Sequence, residues 1–547
     1  AGEARETVAR TPQEFSDEAC AVILRLITRL VSAEIDVHLR RTQGIWHVLN
    51  QYDTNYASLV RRRGRLTFSD LEVILAGCDL HSQSTPILSQ KPEAFDRLRI
   101  DYRLDSRFDH WLLDEFQDTS YLQWSVIEPL IDEAVQDVSE QRSLFQVGDV
   151  KQAIYAWRGG DTRLFHDIYE RYKGDGEDRR ALRARPLNVS WRSGWDVIHL
   201  VNLVFGEPSA LRDLAIPQDA ISRWQWRPHE VAAPNEKLPG FAAYYHPVGT
   251  DGGDVGEEDC FALALELLEE IRPTERGLSC AILVQENKVA RRIVDYLRTH
   301  TRSGIPVASE SDVSAAHDNP VTLAFLALFR AAAHPGDRYA QEHLAMSPLA
   351  AVLPADHEAL SREVLESVHR HGVEDTLRSW VARLELAGIE LDAFGRRRLE
   401  DLALAARLFD QSNSRNLDDF LRFAREYTIR ESATGSVVQV MTIHKSKGLT
   451  FDVVLLPDLD GDSLTNPRNG IGVKRNRQTR AVEWVFDTPR RAIAQADQVL
   501  RAYRAEQEAE AGYEELCKFY VALTRARHAN YLIAPPRKRG SRKQNFI

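Results

Sequence analysis

The sequence predicts an α/β protein whose strands run parallel and alternate with helices. Three observations predict it. Short apolar runs stop abruptly at polar turns, at 111–113, 144–147, 279–284 and 451–456. Apolar residues at helical spacing lie between and before them, as over 14–63. Residues 310–430 are rich in Ala, Leu, Arg and Glu and read as a helical module inserted between α/β segments.

A chain of 547 residues outgrows a single core, and length alone suggests roughly three or four domains. The 43% apolar and 28% charged content is that of a soluble globular protein. No apolar run approaches the roughly 18 residues that span a bilayer, and the start lacks a signal-peptide pattern, so no membrane partner is expected. The chain opens on Ala1-Gly2 without a Met, which suggests a trimmed or truncated polypeptide. The cysteines, at 20, 78, 260, 280 and 517, form no C-x-x-C pair. They offer no zinc or iron–sulfur site and suit a reducing cytoplasm. A net charge of −11 repels nucleic acid at long range, so any DNA site must be a local basic groove with salt-sensitive affinity.

In chain order, Val22, Leu24, Leu26, Ile27 and Leu30 recur at helical spacing within 14–63. The run Arg61-Arg62-Arg63 reads as a solvated helix end closed by Gly64. Thr67-Phe68-Ser69-Asp70-Leu71 opens another helix, with Ser69 as its cap. Residues 111–113 read as a buried strand of a parallel sheet, and 144–147 as a second strand before Gly148-Asp149. Further strands are expected around 241–245, at 279–284, and at 437–443 and 451–456, the last two bracketing a Lys/Gly loop. The acidic stretch 249–258 and the turn-rich 460–480, with Asn466-Pro467 and Asn469-Gly470, read as loops. The basic tail 537–543 reads as disordered and solvated.

Chemistry is expected first where the strand 111–113 ends at Asp114-Glu115, because ligands bind at the carboxyl ends of parallel strands. Asp114 can hold a hydrated Mg2+, and Glu115 can orient or deprotonate a water that attacks a phosphate. The plainer alternative is a loop that happens to start with Asp-Glu. Residues 144–161 read LFQVGDVKQAIYAWRGGD. Gln152 can hydrogen-bond a phosphate oxygen or the attacking water. Tyr155 and Trp157 beside Arg158 suit stacking on unpaired bases, unless Trp157 packs in a core. In LNVSWRS, 187–193, Trp191 can cover a flat base while Arg192 reaches a phosphate. In VMTIHKSKGL, 440–449, Thr442, His444, Lys445, Ser446 and Lys447 are donors suited to a phosphate backbone. In FYVALTRAR, 519–527, a helical Arg525 would face away from Val521 and could clamp the charge of a transferring phosphoryl group.

Taken in order, DEFQDTS, GDVKQAIYAWRGGD, SWRS, TIHKSKGL and YVALTRA resemble motifs II to VI of superfamily-one DNA helicases of the UvrD/Rep type. RRRGRLTFSDLE, SLFQVGDVKQAIY and the Trp of SWRS resemble the RecB/AddA branch. The resemblance covers about residues 60 to 533. It implies two RecA-like P-loop NTPase motor domains, the first incomplete. Residues 1–65 would be a helical remnant of the insertion in the first motor domain, and 66–205 that domain itself. Residues 206–309 would begin the second motor domain, 310–430 would be its helical insertion, and 431–547 would complete it and add the basic tail.

The resemblance further implies ATP and Mg2+ as cofactors and single-stranded and duplex DNA as substrate. It also implies, as a candidate partner, an AddB/RecC-like subunit. By motif, Asp114 resembles the Mg2+ ligand, Glu115 the base, Gln152 the γ-phosphate sensor, and Arg192 and Arg525 the arginine fingers. Trp191, Asp149 and Gly448 fall at nucleotide-binding positions. Tyr155, Trp157, Arg158, Thr442, His444 and Lys445 fall at DNA-binding ones. The implied activity is 3′–5′ ATP-dependent translocation or unwinding in DNA recombination and repair.

The sequence departs from the family in three ways. It contains no G-x-x-x-x-G-K-[ST] phosphate cradle, so the chain alone is expected to hydrolyse no ATP. Thr450 stands where motif V usually has Glu, and Ser190 where motif IV usually has Asn. No Asp…Glu-x-Lys cluster of a nuclease domain follows Arg525. Two other functions compete with the motor. A scaffold that has lost ATPase function would bind DNA or a partner only, and a metal-dependent nuclease would need a ligand cluster that the sequence does not offer.

Overall fold

The computed structural model describes residues 5–8, 11–14, 16–75, 108–137, 141–174, 181–207, 216–248, 255–309, 313–314, 319–354, 356–391, 393–429, 437–461, 470–476, 482–536 and 544–545. Cys78, residues 249–254, Asn466, Pro467, Asn469 and the tail 537–543 lie outside them. The chain forms two compact units. The first comprises Ala1–Ala243, Leu459–Asn530 and Pro536–Ile547; the second comprises Tyr244–Asp458 and Tyr531–Pro535.

The first unit opens with a helix over Asp17–Leu59, capped by Ser16, whose hydroxyl accepts from the Ala19 N–H. The apolar residues that signal this helix are exposed: Leu24, Leu26, Ile27 and Leu30 all face solvent. Its tertiary anchorage is polar. His38 Nδ1 lies 2.8 Å from an Asp487 oxygen, and the Thr42 hydroxyl accepts from the Asp487 N–H. The Arg61–Arg63 turn closes at Gly64, whose φ of 73° favours glycine. Arg61 is not a free solvated end, because its guanidinium pairs with Asp53 and Asp70. The next helix, Phe68–Leu75, is capped by Thr67 rather than Ser69. The Thr67 hydroxyl accepts from the Asp70 N–H, and the Asp70 carboxylate accepts from the Thr67 N–H.

The strands His110–Leu113 and Ser143–Gln146 pair in parallel, Trp111 opposite Leu144. The expectation of a strand buried on both faces is wrong. Leu112 and Phe145 are 73% and 59% exposed. Trp111, Leu113 and Leu144 pack on the other face, against Phe116, Trp124, Ile131, Leu164 and Ile168. Among the described residues this sheet has two strands. The helices Tyr121–Val135 and Thr162–Tyr172 supply the core on its packed face alone.

In the second unit the parallel strands Phe451–Leu456, Cys280–Val284, Val438–Thr442 and Val307–Ser309 lie side by side in that order. Further strands run over Phe241–Tyr245 and Ala526–Ile533. Every residue of Cys280–Val284 is buried, as its unbroken apolar run requires of a strand covered on both faces. The helices Pro320–Ala333, Arg338–Ala345, His357–His371, Val373–Leu386, Ala393–Asp410 and Leu417–Glu426 form a separate helical layer. Its core is built on Phe325, Phe329, Val364, Trp380, Leu402 and Phe420.

Candidate active site

The strand His110–Leu113 delivers Asp114 and Glu115 at its carboxyl end, both exposed. The Asp114 Oδ1 accepts from the Glu115 N–H at 2.8 Å. Glu115 has φ 49° and ψ 39°, the left-handed region that a non-glycine residue enters at a cost of about 1 kcal/mol or more. Its carboxylate accepts from the Gln117 Nε2 at 2.6 Å. Gln117, 1% exposed, also accepts the Asp149 N–H on Oε1 at 2.9 Å. Gly148 makes room for this contact. A Cβ there would overlap Gln117 Oε1 and stand 3.2 Å from the Gln117 and Phe116 nitrogens. The Ser120 cap and its reciprocal bond with Gln123 then start the next helix and fix where this turn ends.

Asp149 caps the turn Val150–Gln152. Its carboxylate accepts from the Lys151 N–H at 3.1 Å, from Lys151 Nζ at 2.8 Å and from Gln152 Nε2 at 3.2 Å. Burial by itself would raise this carboxyl, but Lys151 and Gln152 outweigh it and hold it below the usual carboxylate range. Beyond the turn, the Arg158 guanidinium lies 5.4 Å from the Tyr155 ring centre and 4.5 Å from that of Trp157. Trp157 is exposed, so its alternative as a core residue is discarded.

The two arginines converge on Thr524. Arg192 Nη1 donates to the Thr524 carbonyl at 3.0 Å, and Arg525 Nη2 donates to the Thr524 hydroxyl at 2.9 Å. Arg525 is 1% exposed and its Nε donates to the Val521 carbonyl. It is not on the helix, as the sequence suggested. Gln498–Leu523 ends before it and Ala526–Ile533 starts after it, so Arg525 sits in the turn between. The Ser193 hydroxyl, donating to the Ala526 carbonyl, and the Gly194 N–H, donating to the Arg527 carbonyl, tie the Arg192 segment to that turn. Burial, and then the neighbouring Arg192 charge, push the Arg525 guanidinium down to about 10; Glu115 and Asp149 oppose this. Burial likewise lowers Arg192. Trp191 beside it is 74% exposed, open to stack on a ring.

Asp114, Glu115, Asp149, Gln152, Tyr155, Trp157, Arg158, Trp191, Arg192 and Arg525 all belong to the first unit. Thr442, His444, Lys445 and Gly448 belong to the second. There Thr442 ends the strand Val438–Thr442 and caps the turn Ile443–Ser446, its hydroxyl accepting from the Lys445 N–H at 3.4 Å. Gly448 has φ 82°, which a side chain would strain.

The two guanidiniums fit a phosphate oxyanion. The guanidiniums of Arg525, buried, and Arg192, half-buried, repel each other. An oxyanion between them would relieve that repulsion. Asp114 is a hard oxygen ligand, but no group of three or more His, Cys, Asp or Glu that could hold a metal occurs among the described residues. A Mg2+ at Asp114 would therefore complete its shell with water and phosphate oxygens. Sequence reasoning missed Gln117. Its signal was a polar residue two places after the carboxylates, inside a turn followed by a helix cap.

Residues 3–173 match the UvrD/REP helicase N-terminal domain and residues 396–535 the UvrD-like helicase C-terminal domain. The chain belongs to the UvrD/REP helicases. Within them it is similar to the A subunit of the ATP-dependent helicase/nuclease of Streptococcus pneumoniae (strain ATCC 700669 / Spain 23F-1), at 25% identity over 93% of this chain and 46% of the relative. The A subunit of the same description from Anoxybacillus flavithermus is 23% identical over the same shares. The exonuclease/helicase subunit RexA of S. pneumoniae serotype 4 is 26% identical over 83% of this chain and 42% of the relative. The chain thus spans about half the length of the relatives it matches. No helix among the described residues is long and apolar enough to cross a membrane.

Proposed function

We propose that this chain is the motor portion of an ATP-dependent DNA helicase or translocase of the helicase–nuclease A-subunit type, acting in recombination and repair. The observation that carries the reading is the pair of guanidiniums, Arg192 and Arg525, meeting at Thr524 with Arg525 against Gln152. Two cations held together and largely shielded from water suit a transferring phosphoryl group.

In this reading Glu115 orients the attacking water and takes its proton, while Gln152 reports the state of the terminal phosphate. Arg192 and Arg525 hold its charge. Bound Mg2+, held by Asp114, would supply charge neutralisation to the phosphates. Trp191 stacks on the adenine, with Asp149 and Gly448 at nucleotide-contacting positions. Tyr155, Trp157 and Arg158 stack on single-stranded bases. Thr442, His444 and Lys445 grip the DNA backbone, and a difference in grip between ATP states gives 3′–5′ stepping. The naming of the relatives as A subunits suggests a second subunit of the AddB/RecC kind.

The test is DNA-stimulated ATP hydrolysis by the full-length protein, with Glu115→Gln as control. Turnover that needs DNA and disappears in Glu115→Gln while DNA binding persists is the expected result. DNA binding without turnover in the wild type would instead favour the scaffold reading. Substrates with a 3′ or a 5′ overhang then read the polarity.

A further inference from the structure

We infer that Gln117 is a positioning residue that sets the Glu115 carboxylate and couples it to Arg525 through Asp149 and Gln152. The inference rests on the ATP-hydrolysis reading above. Its geometry is a directed chain. Gln117 Nε2 donates to Glu115, and Gln117 Oε1 accepts from the Asp149 N–H. The Asp149 carboxylate accepts from Gln152 Nε2, and Gln152 Oε1 faces Arg525 Nη2 at 3.4 Å.

The chain has one sense. An ionised carboxylate only accepts hydrogen bonds, so the amino end of Gln117 must face Glu115 and its carbonyl must face the Asp149 N–H. The same rule at the Asp149 carboxylate turns the Gln152 amino end inward and leaves its carbonyl for Arg525. Neither amide can flip without leaving two like groups in contact. Gln117 is buried, so breaking either bond strands a polar group away from water.

Three features hold Gln117 in place. The left-handed Glu115 turns the chain sharply after the strand. The Phe116 N–H donates to the Val147 carbonyl at 3.1 Å and joins the two strand ends. Gly148, lacking a Cβ, lets Oε1 approach the backbone. Displacing Gln117 would release the carboxylate that orients the water and loosen the turn that presents Gln152. The water-orienting and charge-clamping groups therefore share one support.

Two measurements test this, the first independent of turnover. Thermal unfolding of the 547-residue chain is compared for Gly148→Ala, Gln117→Ala and the double variant. Gly148→Ala is expected to lower the melting temperature in the wild-type background and to cost clearly less in Gln117→Ala, where the overlap with Oε1 is gone and only the 3.2 Å approach to the two backbone nitrogens remains. Additive shifts would overturn the contact. The second measurement is DNA-stimulated ATP turnover in the full-length protein. The isosteric Gln117→Met is expected to lower kcat roughly ten- to a hundredfold with KM for ATP unchanged, as misplacement of a reacting group does. Wild-type kcat in Gln117→Met, or a loss expressed in KM for ATP with kcat unchanged, would overturn the coupling. An inactive wild-type enzyme would overturn the motor reading itself.

Discussion

The Arg525 guanidinium and the Gln152 amide face one another, with Nη2 3.4 Å from Oε1. They come from distant parts of the chain, and the Gln152 amino end is turned away toward Asp149. Arg525 can be placed so far inside because its turn is closed from both sides, by the Val521 carbonyl and by the Thr524 hydroxyl. A guanidinium with so little water around it is a strong electrostatic partner for a phosphate.

Arg525→Ala in the full-length protein should reduce DNA-stimulated kcat by about a thousandfold, the scale of an arginine finger. Single-stranded DNA affinity should stay within about twofold, because DNA contacts in this reading lie elsewhere. Arg525→Lys keeps the charge but loses the planar fork, so it should restore only a small part of the rate. Steady-state kinetics beside a DNA-binding titration would check this, and an unchanged kcat in Arg525→Ala would remove Arg525 from the site.

Trp157 is exposed and carries the Arg158 guanidinium on its face. Trp157→Ala should weaken single-stranded DNA binding by about 1–3 kcal/mol, the usual worth of one stacked base. The salt dependence should keep its slope, since no phosphate contact is lost. Fluorescence anisotropy with a labelled oligonucleotide at several salt concentrations measures both quantities. A fall in slope with unchanged affinity at low salt would mean that the ring does not stack.

A pH effect is expected in the second unit. Burial raises the Asp458 carboxyl to about 6, with the Glu257 and Glu286 charges adding to it and the Gln285 N–H opposing. A carboxyl raised above its unfolded value of about 3.9 binds its proton more tightly in the folded state. Its contribution to stability is therefore present at acid pH and is lost as pH rises from about 4 to about 6. Asp458→Asn keeps an acceptor for Gln285 and has no such loss. Its melting temperature relative to wild type should be flat near pH 4 and should climb to a plateau above pH 6, corresponding to about 3 kcal/mol. A difference independent of pH would show that Asp458 is not the titrating group.

Much of the strand pattern was legible because apolar runs of strand length leave few alternatives. Phe451–Leu456 and Cys280–Val284 fall where their sequences place them. The burial of 111–113 was not legible. An apolar run records what a strand can bury, and Leu112 is left exposed because the described neighbours cover one face only. The cap of the Phe68–Leu75 helix was missed for a local reason. Thr67 and Ser69 are both good caps, and the reciprocal bonds with Asp70 select Thr67.

The sequence by itself determined the chemical inventory and its order: two carboxylates after a strand, a Gly-Asp turn with Gln152, a Trp-Arg pair and a late Arg. Those depend on residue type and near-neighbour spacing, which the chain carries directly. Only the tertiary structure decided that Arg192 and Arg525 meet at one residue, that Arg525 stands in a turn instead of on a helix, and that Gln117 lies between Glu115 and Asp149. These are juxtapositions of segments hundreds of residues apart, or of a side chain with a glycine that makes room for it. Hydrogen-bond satisfaction and close packing in the folded chain fix them, and no local pattern encodes them.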